Sequence, residues 1–450
     1  MKCECVSLFP PDAHAPKKEM ALAPERKPYS AGLLILHRIS LRKDASSSKL
    51  RSGHGADLRS SCPVRSDPRQ GPWFFQVWNR GRSGGQFRRK VESRLENIEE
   101  VRNRLISSEP SARSHRELVS PSELPVGKSR QDRVREALFR GGTLSLDNPR
   151  YLETVRTLTD ELLRVDLEPT DLTIEALSFG NRPAEVRVVA RESGVVAGLE
   201  EAAWLYTRFG LSAERLKADG ECVEPNQVLL QIRGDCGNLL RLERTSLNLI
   251  QRMSGIATAT RRLQEFVQSC ASGTFVVATR KTAWGLLDKR AVHLGGGGTH
   301  RLGLGDAILV KNNHLLFFGH KEKEEEAVSL ALRRAWPLRR HAAFLEVEVT
   351  GLAGALAAGR TFRELQQANP DSCPCLLMLD NVKPDEVAKI VATLRAEELW
   401  DHVLIEVSGK ISGTEIEAYA ACGVDAISVG ALTHSCQVLD LHARMEPKAR

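Results

Sequence analysis

Six short apolar runs recur beyond residue 270: Phe275–Ala278, Ala307–Val310, Phe344–Val349, Leu376–Leu379, Val403–Val407 and Ala426–Val429. Between several of them lie the stretches Glu324–Arg340, Leu352–Ala368, Pro384–Leu399 and Gly413–Cys422, patterned as amphipathic helices. A strand apolar on both faces has no side for solvent, so these runs predict a parallel sheet covered by helical crossovers. Five or more such units in roughly 170 residues favour an α/β barrel over a doubly wound sheet, and no G-x-G-x-x-G opens the series.

In such a barrel the active site sits at the carboxyl ends of the strands. Arg280 and Lys281 follow the first run, His300 and Arg301 follow the glycine loop Gly295–Gly298, and Lys311 follows Val310. Glu348 lies in the run Glu346-Val347-Glu348, and Asp380-Asn381 follows Leu379. Ser408-Gly409 follows Val407, and Gly430 follows Val429. Cations therefore come early, two carboxylates in the middle and glycine turns last, which describes a site for a polyanionic substrate with a metal. Glu348 in an apolar strand is costly to bury without a cation. The four glycines suit a flexible loop, or let the backbone approach a ligand or adopt positive φ. His314 and His434 read as satisfied structural histidines.

The upstream half divides in two. Residues 131–245 form an α+β module, with a helix opening at Arg135–Phe139, another over Tyr151–Leu163, and the alternating strand Ala184–Ala190. Ser193–Gly198 reads as a further β-type run, and a helix is expected from Leu240 through Met253. Residues 1–130 are rich in Ser, Arg, Pro and Gly and hold 25 Lys and Arg against 14 Asp and Glu. They carry the whole of the formal +7 charge, and the rest of the chain is slightly acidic. This reads as a solvated, poorly ordered extension. Its exceptions are the aromatic run Trp73–Trp78 and the helix candidate Val91–Leu105. A nucleic-acid-binding arm is the disfavoured alternative; it predicts salt-sensitive binding lost on deleting residues 1–130. No run reaches the ~18 apolar residues of a membrane span, so a cytoplasmic protein without a membrane partner is expected. Ten cysteines without a C-x-x-C predict reduced, mostly buried thiols.

The motifs Glu243-Arg244-Thr245-Ser246-Leu247-Asn248, Ser254-Gly255-Ile256-Ala257-Thr258, Thr279-Arg280-Lys281-Thr282 and His300-Arg301-Leu302 stand in order along the chain. Lys311-Asn312-Asn313-His314, Glu346-Val347-Glu348-Val349, Leu379-Asp380-Asn381 and Val429-Gly430-Ala431-Leu432-Thr433-His434-Ser435 continue the series. Together they resemble the motifs of the quinolinate phosphoribosyltransferase (carboxylating nicotinate-nucleotide pyrophosphorylase) family over about residues 131–450. The resemblance implies an α/β sandwich over 131–245, an open, TIM-like α/β barrel over 246–435, and a tail over 436–450 packing back on the sandwich. It implies a homodimer and a Mg²⁺-dependent reaction of quinolinate with phosphoribosyl pyrophosphate. By the same resemblance Arg280, Lys281, His300, Arg301 and Lys311, with Thr279, bind quinolinate, and Arg244 reaches the neighbouring subunit's site. Glu348 and Asp380 stand near the ribose hydroxyls and metal, with Lys281, Glu348 and Asp380 the catalytic set. Ser408, Gly409 and Gly430 match the turns that hold the 5′-phosphate, with Lys410, Ala431 and Leu432 beside them as further substrate-binding positions.

Three positions depart from the family. No proline follows Thr282, Asn312 stands where Asp is usual, and Lys410 replaces a second glycine. Two rival readings use the same residues. A sister pyridine phosphoribosyltransferase would keep the phosphate turns and change the cations. A barrel lyase would use Lys281 or Lys311 as a Schiff base, which borohydride trapping would expose.

Overall fold

The computed structural model describes residues 128–447, apart from 169, 179–181, 272, 320–322, 370–372 and 412–414. The aromatic run Trp73–Trp78 and the helix candidate Val91–Leu105 lie outside the described residues. Ser129 opens helix α1 (Arg130–Leu138) with a reciprocal cap: its hydroxyl accepts from the Asp132 amide, and the Asp132 carboxylate accepts from the Ser129 amide. Asn148 caps α2 (Pro149–Leu167), with proline at the first helical position, where no amide is needed. There follow α3 (Leu172–Leu177), β1 (Pro183–Ala190), β2 (Gly194–Val195), α4 (Leu199–Arg208), β3 (Ser212–Arg215), β4 (Cys222–Val223) and β5 (Val228–Asp235). β1 pairs antiparallel with β5, and β5 with β3. The fully buried Leu199, Ala202 and Leu205 of α4 share one core with Val188, Leu230 and Ile232 of this sheet. Of the expected run Ser193–Gly198, only β2 is a strand.

Helix α5 (Cys236–Cys270) is longer than its pattern predicted, because no proline interrupts it and Asp235 caps its start. The domain boundary drawn at 245/246 falls inside it. Leu239, Leu242 and Ile250 of this helix belong to the first core, whereas Leu263 and Val267 belong to the barrel core. At Gly255 an added Cβ would lie 1.9 Å from the Gln437 carbonyl oxygen, so the returning chain passes directly over the helix there.

The barrel then runs β6 (Phe275–Val277), α6 (Leu286–Leu294), β7 (Ile308–Val310), α7 (Asn312–Leu315), α8 (Glu324–Ala335), β8 (Leu345–Val349), α9 (Leu352–Ala368) and β9 (Cys375–Asp380). It continues with α10 (Pro384–Ala396), β10 (Leu404–Ser408), α11 (Ile416–Ala421), β11 (Ala426–Ser428) and α12 (Ala431–His434). Each strand lies within two residues of its apolar run. The sheet order is β6-β11-β10-β9-β8-β7, all parallel, with β6 and β7 as its two edges, so the barrel is open. Helix α8 stops short of Arg340 because Pro337 turns the remainder, Trp336–His341, into a 3₁₀ segment. Finally β12 (Leu441–Pro447) returns to pair antiparallel with β1.

Helix α1 closes the amino-terminal mouth of the barrel. Its Val134, Ala137 and Leu138 pack on Phe275, Phe344, Leu376 and Leu404, residues at or next to strand starts. Arg130 fastens it with a bidentate pair to the buried Asp425 at 2.7 Å for each bond. The same guanidinium donates to the carbonyls of Trp400 (2.8 Å) and Val403 (2.7 Å). The expectation of mostly buried thiols is corrected: of the seven described cysteines Cys375 is buried, while Cys222 and Cys270 are exposed, on a two-residue strand and in the last turn of α5.

Replacing Arg130 with Ala would strand Asp425 and is expected to cost about 3 kcal/mol. Arg130→Lys keeps the charge without the fork and should recover only part of this. Chemical denaturation of the variants checks both.

Candidate active site

Eleven of the residues singled out from sequence line one cavity of about 490 Å³ at the carboxyl ends of the strands. They are Thr279, Arg280 and Lys281 after β6; His300, Arg301 and Lys311 around β7; Glu348 on β8; Asp380 on β9; and Ser408, Gly409 and Lys410 after β10. Arg244 is not among them: it is exposed on α5 and outside this lining. Ala431 and Leu432 border instead a separate cavity of about 380 Å³ behind α12. Gly430 lies beside the site: a Cβ there would meet the His434 ring at 3.1 Å and Cδ of the cavity-lining Lys281 at 3.4 Å.

The cations differ in what already holds them. Arg280 and Lys281 make no ion pair with any described residue, and Arg301 donates to the Ala307 carbonyl at 3.4 Å. Lys311 stands 3.8 Å from Glu348. His300 is buried, with Nε2 at 3.0 Å from Glu346 and 3.2 Å from Glu406. Burial alone would lower its pKa, but the Glu406 and Glu346 carboxylates outweigh this and raise it to about 9, so the ring stays an imidazolium. Burial, then the charge of Glu406, pushes Glu346 up to about 7. The three donor atoms lie within 4.8 Å of one another, and the imidazolium proton neutralises what would otherwise be a bare carboxylate pair.

Beneath the cations Lys289 is buried, and its amine donates to the carbonyls of Ala278 and Thr299. Burial pulls it down to about 7. It joins the end of β6 to the residue before His300. The His300 amide itself donates to the Leu138 carbonyl at 2.9 Å, so the plug helix α1 also sets this segment. Sequence reasoning passed over Glu346, Glu406 and Lys289 as functional residues. The available signal was an acid inside each of two apolar runs, Glu346 and Glu406, which burial penalises unless a cation is near.

The glycine loop has another purpose than the expected approach to a ligand. A Cβ on Gly295 would meet the Ala257 carbonyl at 2.4 Å, and one on Gly297 would meet Thr260 at 2.6 Å. These glycines let the loop lie against α5, and only Gly296 has positive φ. Three of the six left-handed non-glycine residues among those described line the cavity: His300 (φ 52°), Asn381 (φ 55°) and Lys410 (φ 44°).

Glu348 and Asp380 fit a divalent cation by donor chemistry, two carboxylates being hard oxygen ligands. Burial and the Asp380 charge raise the Glu348 pKa, a repulsion that a cation between them would relieve. Asn312 donates to Glu348 Oε1 at 2.9 Å, so this departure from the family fixes the glutamate rather than repelling it. Of the two histidines read as structural, His314 accepts from the Lys311 amide at 2.9 Å, and His434 bonds its neighbour Ser435 at 2.6 Å.

The family model for the quinolinate phosphoribosyl transferase C-terminal domain matches residues 256–444, and that for the N-terminal domain matches 171–254. A protein of Methanothermobacter thermautotrophicus named probable nicotinate-nucleotide pyrophosphorylase (carboxylating) is 37% identical over 286 residues, 62% of this chain and 95% of that protein. The nicotinate-nucleotide pyrophosphorylase (carboxylating) of Rattus norvegicus is 32% identical over 277 residues, 61% of this chain and 86% of its own length. The solved nicotinate-nucleotide pyrophosphorylase of Francisella tularensis superposes with a TM-score of 0.56 at 30% identity, covering 65% of this chain and 96% of that one. The motifs, the two-part fold and these likenesses agree: the chain belongs to the quinolinate phosphoribosyl transferase family.

Proposed function

We propose that this protein transfers the phosphoribosyl group of phosphoribosyl pyrophosphate to quinolinate, releasing pyrophosphate and carbon dioxide and forming nicotinate mononucleotide for NAD biosynthesis. The observation that carries this reading is the set of cations Arg280, Lys281 and Arg301, which make no ion pair with a described carboxylate, sharing one cavity with Glu348 and Asp380. Quinolinate is a dicarboxylate, and guanidinium groups offer each carboxylate a bidentate partner. His300, held charged from beneath, and Lys311 complete the receptor for these groups. Thr279 accepts from the Lys281 amide at 3.1 Å and shapes the turn that presents the pair.

The pyridine nitrogen is itself the nucleophile, so the protein needs no general base. Its task is positioning and electrostatics. As pyrophosphate departs, the ribose carbon becomes cationic, and Glu348 and Asp380 face it while Lys281 balances the departing negative charge. Magnesium held by Glu348 and Asp380 would supply Lewis-acid neutralisation of the pyrophosphate. Ser408, Gly409 and Lys410 receive the 5′-phosphate, with Gly430, Ala431 and Leu432 forming the second turn behind it. The positive charge on the ring nitrogen then stabilises the electron pair left on the adjacent ring carbon as carbon dioxide departs, and that carbon takes a proton from solvent. Exposed Arg244 is suited to cross into a second copy's site in a homodimer, and a cytoplasmic location suits this chemistry. No described helix is long and apolar enough to cross a membrane. The lyase reading gains nothing from the buried lysine, since Lys289 is committed to two carbonyls and does not line the cavity.

Lys410 shows how this chain differs from a glycine turn. A left-handed Lys costs about 1 kcal/mol relative to glycine, and the turn keeps it at the phosphate end of the cavity.

Formation of nicotinate mononucleotide from the two substrates, abolished by EDTA and restored by Mg²⁺, is the expected result of a direct assay; no product with Mg²⁺ present would reject the reading. Arg280→Ala and Arg301→Ala should each raise the quinolinate KM by about 30-fold or more, the ~2–4 kcal/mol of an unpaired buried carboxylate. Lys410→Gly is expected to leave the melting temperature unchanged or higher while raising the KM for phosphoribosyl pyrophosphate several-fold.

A further inference from the structure

Behind the cavity lies a buried network whose side chains do not line it. Asp288 on α6 is fully buried, and its carboxylate accepts four hydrogen bonds, one at Oδ1 and three at Oδ2. Arg252 of α5 donates two of them, Nε at 2.9 Å and Nη2 at 2.8 Å. The Trp284 amide donates a third at 3.2 Å, and the Thr282 hydroxyl a fourth. The Thr282 hydroxyl in turn accepts from the Gly285 amide at 3.1 Å, which folds the segment after Lys281 into a compact turn. This is the segment that lacks the family's proline, so hydrogen bonds replace a restricted ring as its constraint.

The same guanidinium turns to the other half of the site. Nη2 of Arg252 donates to the Thr433 carbonyl at 2.9 Å, and the fully buried Thr433 hydroxyl donates to the Lys281 carbonyl at 2.7 Å. Thr433 belongs to α12, whose amides at Thr433 and His434 close on the Gly430 carbonyl at 3.1 Å. Two routes, one through Asp288 and one direct, thus join the loop after β6 to the turn after β11.

We infer that Asp288, Arg252 and Thr433 are positioning residues that lock the quinolinate-binding segment Thr279–Thr282 to the phosphate-side turn Gly430–His434, so that both substrate subsites are set by one buried bridge. The inference rests on the substrate assignment above. A merely structural role would lower stability and leave the kinetics of the folded protein alone. A bridge moves the KM of both substrates at once, from a residue that touches neither.

The gentlest test is Thr433→Val, which keeps shape and removes the hydroxyl, beside Thr433→Ser, which keeps the hydroxyl. Thr433→Val should raise KM for quinolinate and for phosphoribosyl pyrophosphate together, each by about 5- to 50-fold, with a smaller loss in kcat. Thr433→Ser should stay within about twofold of the unmodified protein. A Thr433→Val protein with either KM unchanged overturns the inference, as does a Thr433→Ser protein that behaves like Thr433→Val. Hydrogen exchange on Asp288→Asn separates failure of the bridge from failure of the substrate assignment, since it needs no turnover. Amides of 281–285 and of 430–435 should lose protection together, by tenfold or more, with α9 and α10 unchanged; loss in one segment alone overturns the bridge.

Discussion

Charge buried without a partner is the constraint on which this molecule turns. A receptor for a small dicarboxylate must gather cations at one point, and cations gathered at the end of a barrel repel one another. Carboxylates from the strand interiors answer that repulsion. Glu346 and Glu406 stand under His300 and hold its proton, and Ser428 donates to Glu406 from the neighbouring strand. Among the described residues, Arg280, Lys281 and Arg301 make no ion pair with a carboxylate. The division is physical: acids below, bound cations between, unbound cations above. The top layer, with the ring of His300 beneath it, lines the cavity.

The helices that carry this arrangement are placed by similar charge pairs away from the site. Arg130 joins α1 to Asp425, and the carbonyl of Leu138, where α1 ends, receives the amide of His300. A helix at the bottom of the barrel thereby fixes the backbone of a residue whose ring, between Glu346 and Glu406, lines the cavity. Arg290 makes a comparable link between α6 and the first domain, pairing with Glu200 and Glu201, while the Tyr151 hydroxyl donates to Glu201 at 2.6 Å. Because Lys289 and Asp288 are neighbours of Arg290 on that helix, one turn of α6 serves the domain contact, the floor of the site and the turn after Lys281.

The six barrel strands were legible because an apolar run bounded by polar residues has few alternatives, and the cations were legible because they stand at the run ends. Helix α8 was read too long, since its pattern continued through a proline that the backbone could not follow as α-helix. The glycine loop was legible as a place of close approach but not as to what approaches: α5 does, at Ala257 and Thr260, and nothing in the loop's own sequence names a helix so far upstream. The roles of Glu406 and Asp288 were hidden for a related reason. An acid in an apolar run signals a partner, but the partners come from other strands and helices, which only the tertiary fold supplies. Arg244 gave the opposite case, a residue legible from its motif yet exposed and away from the cavity of its own chain.

The pairing of β12 with β1 has a temporal side. The register joins Ala190 to Leu441 and Ala184 to Pro447, so the two partners lie roughly 250 residues apart along the chain. During synthesis, β1 has β5 within reach early, but its other edge stays open until the entire barrel has been made. An open edge of alternating valines is a template for pairing with other chains. Closing so long a loop is slow relative to local helix formation. The barrel therefore acts as the spacer whose folding delivers β12 to its place, and the first domain becomes whole only after the second.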